Sequence, residues 1–172
     1  SYFINNIRSG LKTEYYDTGE IYYKVNYEDN SRRGQEIGYY RSGERLYVKN
    51  YYSELPDGFK DKIPESTIDE TWYYISGEKK KEINKQKLNL VASHKNYYKN
   101  GKIESVFEFD GLNPISEIGY YETEIDSLLN GEKLFERKYV DGLIQGEEIT
   151  YHKSGEIKST VIYEAGKKQG LQ

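Results

Sequence analysis

Apolar and polar residues alternate along short runs of this chain, and the runs return in the same order about every 24 residues. The stretch GLKTEYYDTGEIYYKVNY, from Gly10 to Tyr27, shows the unit. In its second half Tyr23, Val25 and Tyr27 fall on one side and Lys24 and Asn26 on the other. That period of two is the mark of a half-buried strand. Tyrosine and β-branched residues dominate and suit a pleated surface. At the centre stands Asp17-Thr18-Gly19-Glu20, a hairpin turn in which glycine supplies a positive φ. A polar loop, Glu28 to Arg33, then leads to Gly34 and the next unit. One repeat therefore reads as strand, tight turn, strand, loop.

The pattern holds register in several columns at once. The turn glycines are Gly19, Gly43, Gly77, Gly101, Gly131 and Gly155, with spacings of 24, 34, 24, 30 and 24. A tyrosine doublet precedes each turn: Tyr15-Tyr16, Tyr39-Tyr40, Tyr73-Tyr74, Tyr97-Tyr98 and Tyr120-Tyr121, with Tyr151-His152 in the last unit. Nine residues before the turn glycine stand Gly10, Gly34 and Gly146, and eight after it stand Tyr27, Tyr51, Lys85, Phe109, Tyr139 and Tyr163. A fixed period of this kind is the signature of a repeat architecture.

The expected fold is all-β: an elongated open antiparallel sheet of about six tandem β-hairpins in one array domain, 1–172. The hairpins are placed near 10–27, 34–52, 68–85, 92–109, 115–139 and 146–163, with inserts at 53–70 and 124–129. The stretch Glu82 to Val91, EINKQKLNLV, is the one place where a short helix fits. Adjacent tyrosines in a strand put one ring on each face. The first of each pair varies least between repeats and reads as the packed column. The second, Tyr16, Tyr40, Tyr74, Tyr98, Tyr121 and His152, reads as the more exposed column and the candidate binding surface. The chain also starts and stops inside the pattern, as an array trimmed at both ends or a mature chain whose leading segment has been removed would do. Open terminal strands invite edge-to-edge dimerisation.

Composition narrows the function. Hydrophobic residues make up 35% of the chain, and 20 tyrosines supply much of that, each able to cover apolar area while its hydroxyl stays wet. The net charge of −4 argues against a nucleic-acid partner, which calls for a basic domain. No apolar run has the length of a membrane-spanning helix. Without cysteine there are no disulfides and no thiolate metal sites. His94 and His152 stand 58 residues apart, at no metal-ligand spacing, and His152 takes a doublet position as a packing aromatic. Lys79-Lys80-Lys81 reads as a solvated strand face. Carboxylate neighbours such as Glu147-Glu148 and Asp61/Glu65 are expected by chance among 29 acidic residues. The expectation is no catalytic residue, no metal and no cofactor.

The unit Gly-x4-Tyr-Tyr-x2-Gly-[Glu/Lys]-[Ile/Leu] resembles the bacterial variant of the MORN repeat. GLKTEYYDTGEI, KNYYKNGKIESVFEF and GEEITYHKSGEIKSTVIYEAGKKQG carry the likeness, which covers nearly the whole chain outside the two inserts. The third repeat departs from it, with Lys79, Lys80, Lys81 and Lys85 at apolar and aromatic positions. That departure weakens the sheet locally or marks a contact surface. Proteins of this kind are grouped as YwqK-like and often labelled antitoxin components, because some are encoded beside polymorphic toxins. The resemblance implies an extended sheet of successive hairpins, no catalytic residues, and a bacterial protein with a bacterial toxin or surface partner. The leading expectation is a non-catalytic protein–protein interaction module, toxin neutralisation being one version. The alternative is a cell-surface or secreted repeat protein contacting host or neighbouring cells. A phospholipid-binding module ranks third, since the acidic balance repels anionic headgroups and leaves only the Lys79–Lys85 strip. The cell envelope or secretion is the preferred location, the cytoplasm the alternative.

Overall fold

The computed structural model describes residues 1–4, 7–51, 67–86, 90–122 and 132–169. Gly131 and the insert 124–129 lie outside the described residues, as does most of the insert 53–70. The chain divides into two compact units, Ser1–Asn89 and Leu90–Gln172. The first contains β1 (Tyr2–Ile4), β2 (Ile7–Tyr15), β3 (Ile21–Glu28), β4 (Ser31–Tyr39), β5 (Arg45–Tyr51), β6 (Thr67–Tyr73) and β7 (Lys79–Gln86). The second contains β8 (Leu90–Tyr97), β9 (Ile103–Asp110), β10 (Asn113–Tyr120), β11 (Lys133–Val140), β12 (Leu143–Ile144), β13 (Gly146–Tyr151), β14 (Ile157–Glu164) and β15 (Lys167–Gln169). Each unit is an open antiparallel sheet in which strands pair in chain order, with β12 a short side branch on β11. The described residues contain no helix. The expected helix over Glu82–Val91 is replaced by the end of β7 and the start of β8. Residues 67–70, placed in the insert from sequence, open β6.

Two kinds of tight turn alternate. At the doublets, the Tyr16 amide donates to the Glu20 carbonyl at 2.8 Å and the Gly19 amide to the Tyr16 carbonyl at 3.0 Å. The same pair of bonds closes the turns at Tyr40, Tyr74, Tyr98 and His152. Gly19 sits at φ +101°, the left-handed position that makes this a three-residue loop with a bulge. The polar loop expected at Glu28–Arg33 is instead a two-residue turn. Asp29 and Asn30 both have positive φ, and Glu28 pairs directly with Ser31. Asp141-Gly142 and Ala165-Gly166 turn the same way. Positive φ at both central residues makes the mirror-image turn whose twist matches that of the strands. Asparagine and aspartate tolerate this region, which is why a polar pair does the work of a loop.

The doublet does not straddle the two faces of a strand. Each strand ends at the first tyrosine, and the second is the first residue of the turn. A register shift just before the first tyrosine carries the chain out of the ladder.

Candidate functional site

Register sorts the side chains into two faces, because residues paired across strands share a face. On one face run Glu14, Tyr23, Gly38, Tyr47, Trp72 and Lys81, and beside them Lys12, Val25, Glu36, Lys49, Glu70 and Ile83. The second unit repeats the first of these rows with Asn96, Ser105, Gly119, Phe135, Thr150 and Ser159. This tyrosine face carries most of the buried side chains. Val25, Tyr27 and Tyr51 form its tightest cluster, with Tyr23 packed against it.

Sequence reading missed the column of acids in this face. Glu36 is only 3% exposed, and Glu117 is also buried. Glu36 accepts from Arg32 Nη1 at 2.8 Å, Tyr47 Oη at 2.7 Å and Tyr51 Oη at 3.2 Å. Glu117 accepts from Arg137 Nε at 2.8 Å and Tyr139 Oη at 2.6 Å. Arg137 reaches on to Glu148 at 3.1 Å and so ties two repeats together. Partners change together between repeats. Where Glu70 stands in the acid column, Lys85 replaces the usual tyrosine and donates at 2.7 Å. Where His94 replaces the acid, it stacks on Phe107 at 5.3 Å. The signal was present in the sequence as a glutamate two residues after Gly34 and Gly146, the bulge positions.

These contacts set the ionisation of the groups involved. Burial raises the Glu70 carboxyl, but the Lys85 hydrogen bond and the Lys49 and Lys85 charges outweigh it and hold it below the usual 4.5. Burial pushes the Tyr51 phenol up to about 12, Arg32 opposing and Glu36 assisting. The Tyr139 phenol rises to about 12 through burial, then through its bond to Glu117. These groups act as fixed donors and acceptors near neutral pH, arranged to hold strands together.

The candidate tyrosines are half-buried and bonded. Tyr16 Oη donates to the Tyr39 carbonyl at 2.7 Å, Tyr40 to Tyr73 at 2.8 Å, Tyr98 to Tyr120 at 2.8 Å and Tyr121 to Tyr151 at 2.7 Å. Each reaches from its own turn to the end of the next hairpin. Arg41 lies over the Tyr16 ring at 4.8 Å, Lys80 over Tyr74 at 5.7 Å and Lys153 over Tyr121 at 5.6 Å. The expected order of exposure is reversed in the first repeat: Tyr15 is 60% exposed and Tyr16 half-buried, because the second tyrosine has the carbonyl to reach. His152, expected to pack as an aromatic, is exposed. The lysine run is broken by the bulge in β7, so that Lys81 pairs with Trp72 on the tyrosine face and Lys80 falls in the register shift, over the Tyr74 ring.

The opposite face holds Thr13, Lys24, Ile37, Val48, Thr71 and Glu82 in the first unit. In the second it holds Lys95, Val106, Ile118, Glu136, Ile149 and Thr160. Its aliphatic members are half-buried. Ile118 and Ile149, beside the bulge at Gly146, line a groove of about 570 Å³ with Glu136, Lys138 and Glu147 of this face, and Glu117 and Arg137 also border it. Among the described residues no group of three or more His, Asp or Glu is placed to hold a metal ion. The sequence matches no protein-family model and no curated protein.

Proposed function

We propose that this chain is a non-catalytic protein-binding module, an array of MORN-variant hairpins that docks a partner protein on the face opposite its tyrosines. One observation carries the reading: the buried polar groups are engaged in holding strands together, while half-buried aliphatics line a groove on the other face. A layer of sheet with apolar residues on both sides has one more apolar face than its own packing uses. Toxin neutralisation is the version of this function that the MORN-variant resemblance favours.

Tag-based capture from extracts of the source organism tests it. The wild-type protein is expected to retain one partner at near-equal stoichiometry. Ile149→Lys, whose ammonium would sit opposite Glu136, is expected to lose that partner while melting within a few degrees of wild type. A wild-type protein that retains nothing beyond what an unrelated β-protein retains would contradict the proposal.

A further inference from the structure

The third repeat breaks the chemistry of the tyrosine face in one place. Across β5, β6 and β7 the row Tyr47–Trp72–Lys81 lies beside the row Lys49–Glu70–Ile83. Lys85 follows Ile83 on the same face of β7 by strand alternation. The Tyr47 and Trp72 rings pack at 4.9 Å and form a floor. Lys49 Nζ lies 5.0 Å from the Tyr47 ring and 5.6 Å from the Trp72 ring. Among the described residues Glu70 reaches two of the three ammonium groups, at 2.7 Å from Lys85 and 4.0 Å from Lys49. Lys81 is half-buried beside Trp72 and makes no hydrogen bond or ion pair with any described residue. Counted over the described residues, three lysines to one glutamate, the patch is cationic in a chain of net charge −4.

The geometry points to a docking site for an acidic peptide in extended conformation, lying along β7 over Trp72, Ile83 and the three lysines. Lys81 and Lys85 are four residues apart in a strand, about 13 Å. An extended peptide places the side chains of residues i and i+4 on one face at the same spacing. Carboxylates at those positions meet Lys81 and Lys85, and an apolar residue between them meets Ile83. A charged group held half-buried gains most from a partner that restores its hydrogen bonds. Glu70 stays ionised beneath the site, since its lysine neighbours hold its carboxyl below the usual range, so the lysines remain charged and ordered for the incoming acid. The proposal rests on the protein-binding reading only in taking the occupant to be a peptide, and it uses the tyrosine face of the first unit rather than the groove of the second.

The probe is a fluorescein-labelled peptide, Ser-Glu-Thr-Val-Thr-Glu-Ser, followed by fluorescence anisotropy at low salt. Binding to wild type is expected, with none for the same peptide carrying Lys in place of both Glu. Lys81→Gln and Lys81→Glu are expected to weaken binding by about tenfold or more. Lys158→Glu, which makes the same charge change on an exposed lysine of β14, is expected to leave it unchanged. Equal weakening by Lys81→Glu and Lys158→Glu would overturn the site in favour of general charge attraction. Binding to vesicles containing phosphatidylserine but not to the acidic peptide would overturn it in favour of a membrane surface. Retention of the captured partner by Lys81→Glu, with no peptide binding by wild type, would remove this site and leave the groove reading standing.

Discussion

Glu70 and Glu36 show what the ionisable side chains of this protein do. Each is a carboxylate inside a tyrosine-rich face, and each is held by donors from neighbouring strands rather than aimed at open space. Removing one partner from such a cluster leaves a buried charge without its counterpart, which costs about 3–5 kcal/mol. The acid limb of stability follows from the direction of the Glu70 shift. Its folded-state value lies below 4.5, so the unfolded chain takes up the proton first. The stabilisation is present above about pH 4.5 and is lost as pH falls through the folded-state value. Thermal melts between pH 7 and pH 3 are expected to show this loss, and Glu70→Gln is expected to flatten it. The turn glycines and the tyrosine doublets were legible in the sequence because their columns are nearly invariant between repeats. The acid column was not, because its members, Lys12, Glu36, Glu70, His94, Glu117 and Glu148, change type along with their partners. Only the paired strands reveal that each change is answered across the ladder.

The strands pair large with small. Gly38 faces Tyr47 and Gly119 faces Phe135, so the aromatic ring covers the glycine backbone. A Cβ built on Gly38 would stand 2.3 Å from Tyr47 Cε1. Gly38→Ala is therefore expected to lose about 1–3 kcal/mol in urea unfolding, and less than the sum of the single effects when combined with Tyr47→Ser. Ala165 holds φ +47° in the last two-residue turn, a conformation that costs an alanine about 1 kcal/mol or more. Ala165→Asn keeps the amide that donates to Gln145 Oε1 at 2.8 Å and is expected to raise the melting temperature. These turns are where sequence reading stopped short. Six polar residues from Glu28 to Arg33 look like a loop in composition, yet the mirror-image turn needs only Asp29 and Asn30. The stretch Glu82 to Val91 fits a short helix, yet its first residues continue β7, where pairing with β6 overrides the weak strand preference of lysine, glutamate and asparagine.

At the scale of the molecule, six units that read alike differ in what each face offers. The second tyrosines of the doublets, expected to meet a partner, are fastened to the next repeat through their hydroxyls, so the proposed binding surface moves to the opposite face with its half-buried aliphatics. That face was invisible in the repeat columns, because Ile118 and Ile149 are aligned with Thr13, Thr71 and Lys95 and only some repeats are apolar there. Glu117 and Ile118 are neighbours on β10 and point to opposite faces, one accepting from Arg137 and Tyr139, the other flooring the groove. The most direct test compares Glu117→Ala with Ile118→Lys by urea unfolding and by capture of the partner. Glu117→Ala is expected to lose about 3–5 kcal/mol and, under conditions where it is still folded, to bind as wild type. Ile118→Lys is expected to unfold near wild type, its ammonium lying opposite Glu136, and to lose the partner. Loss of the partner by Glu117→Ala while folded, with binding kept by Ile118→Lys, would contradict the assignment of structure to one face and recognition to the other.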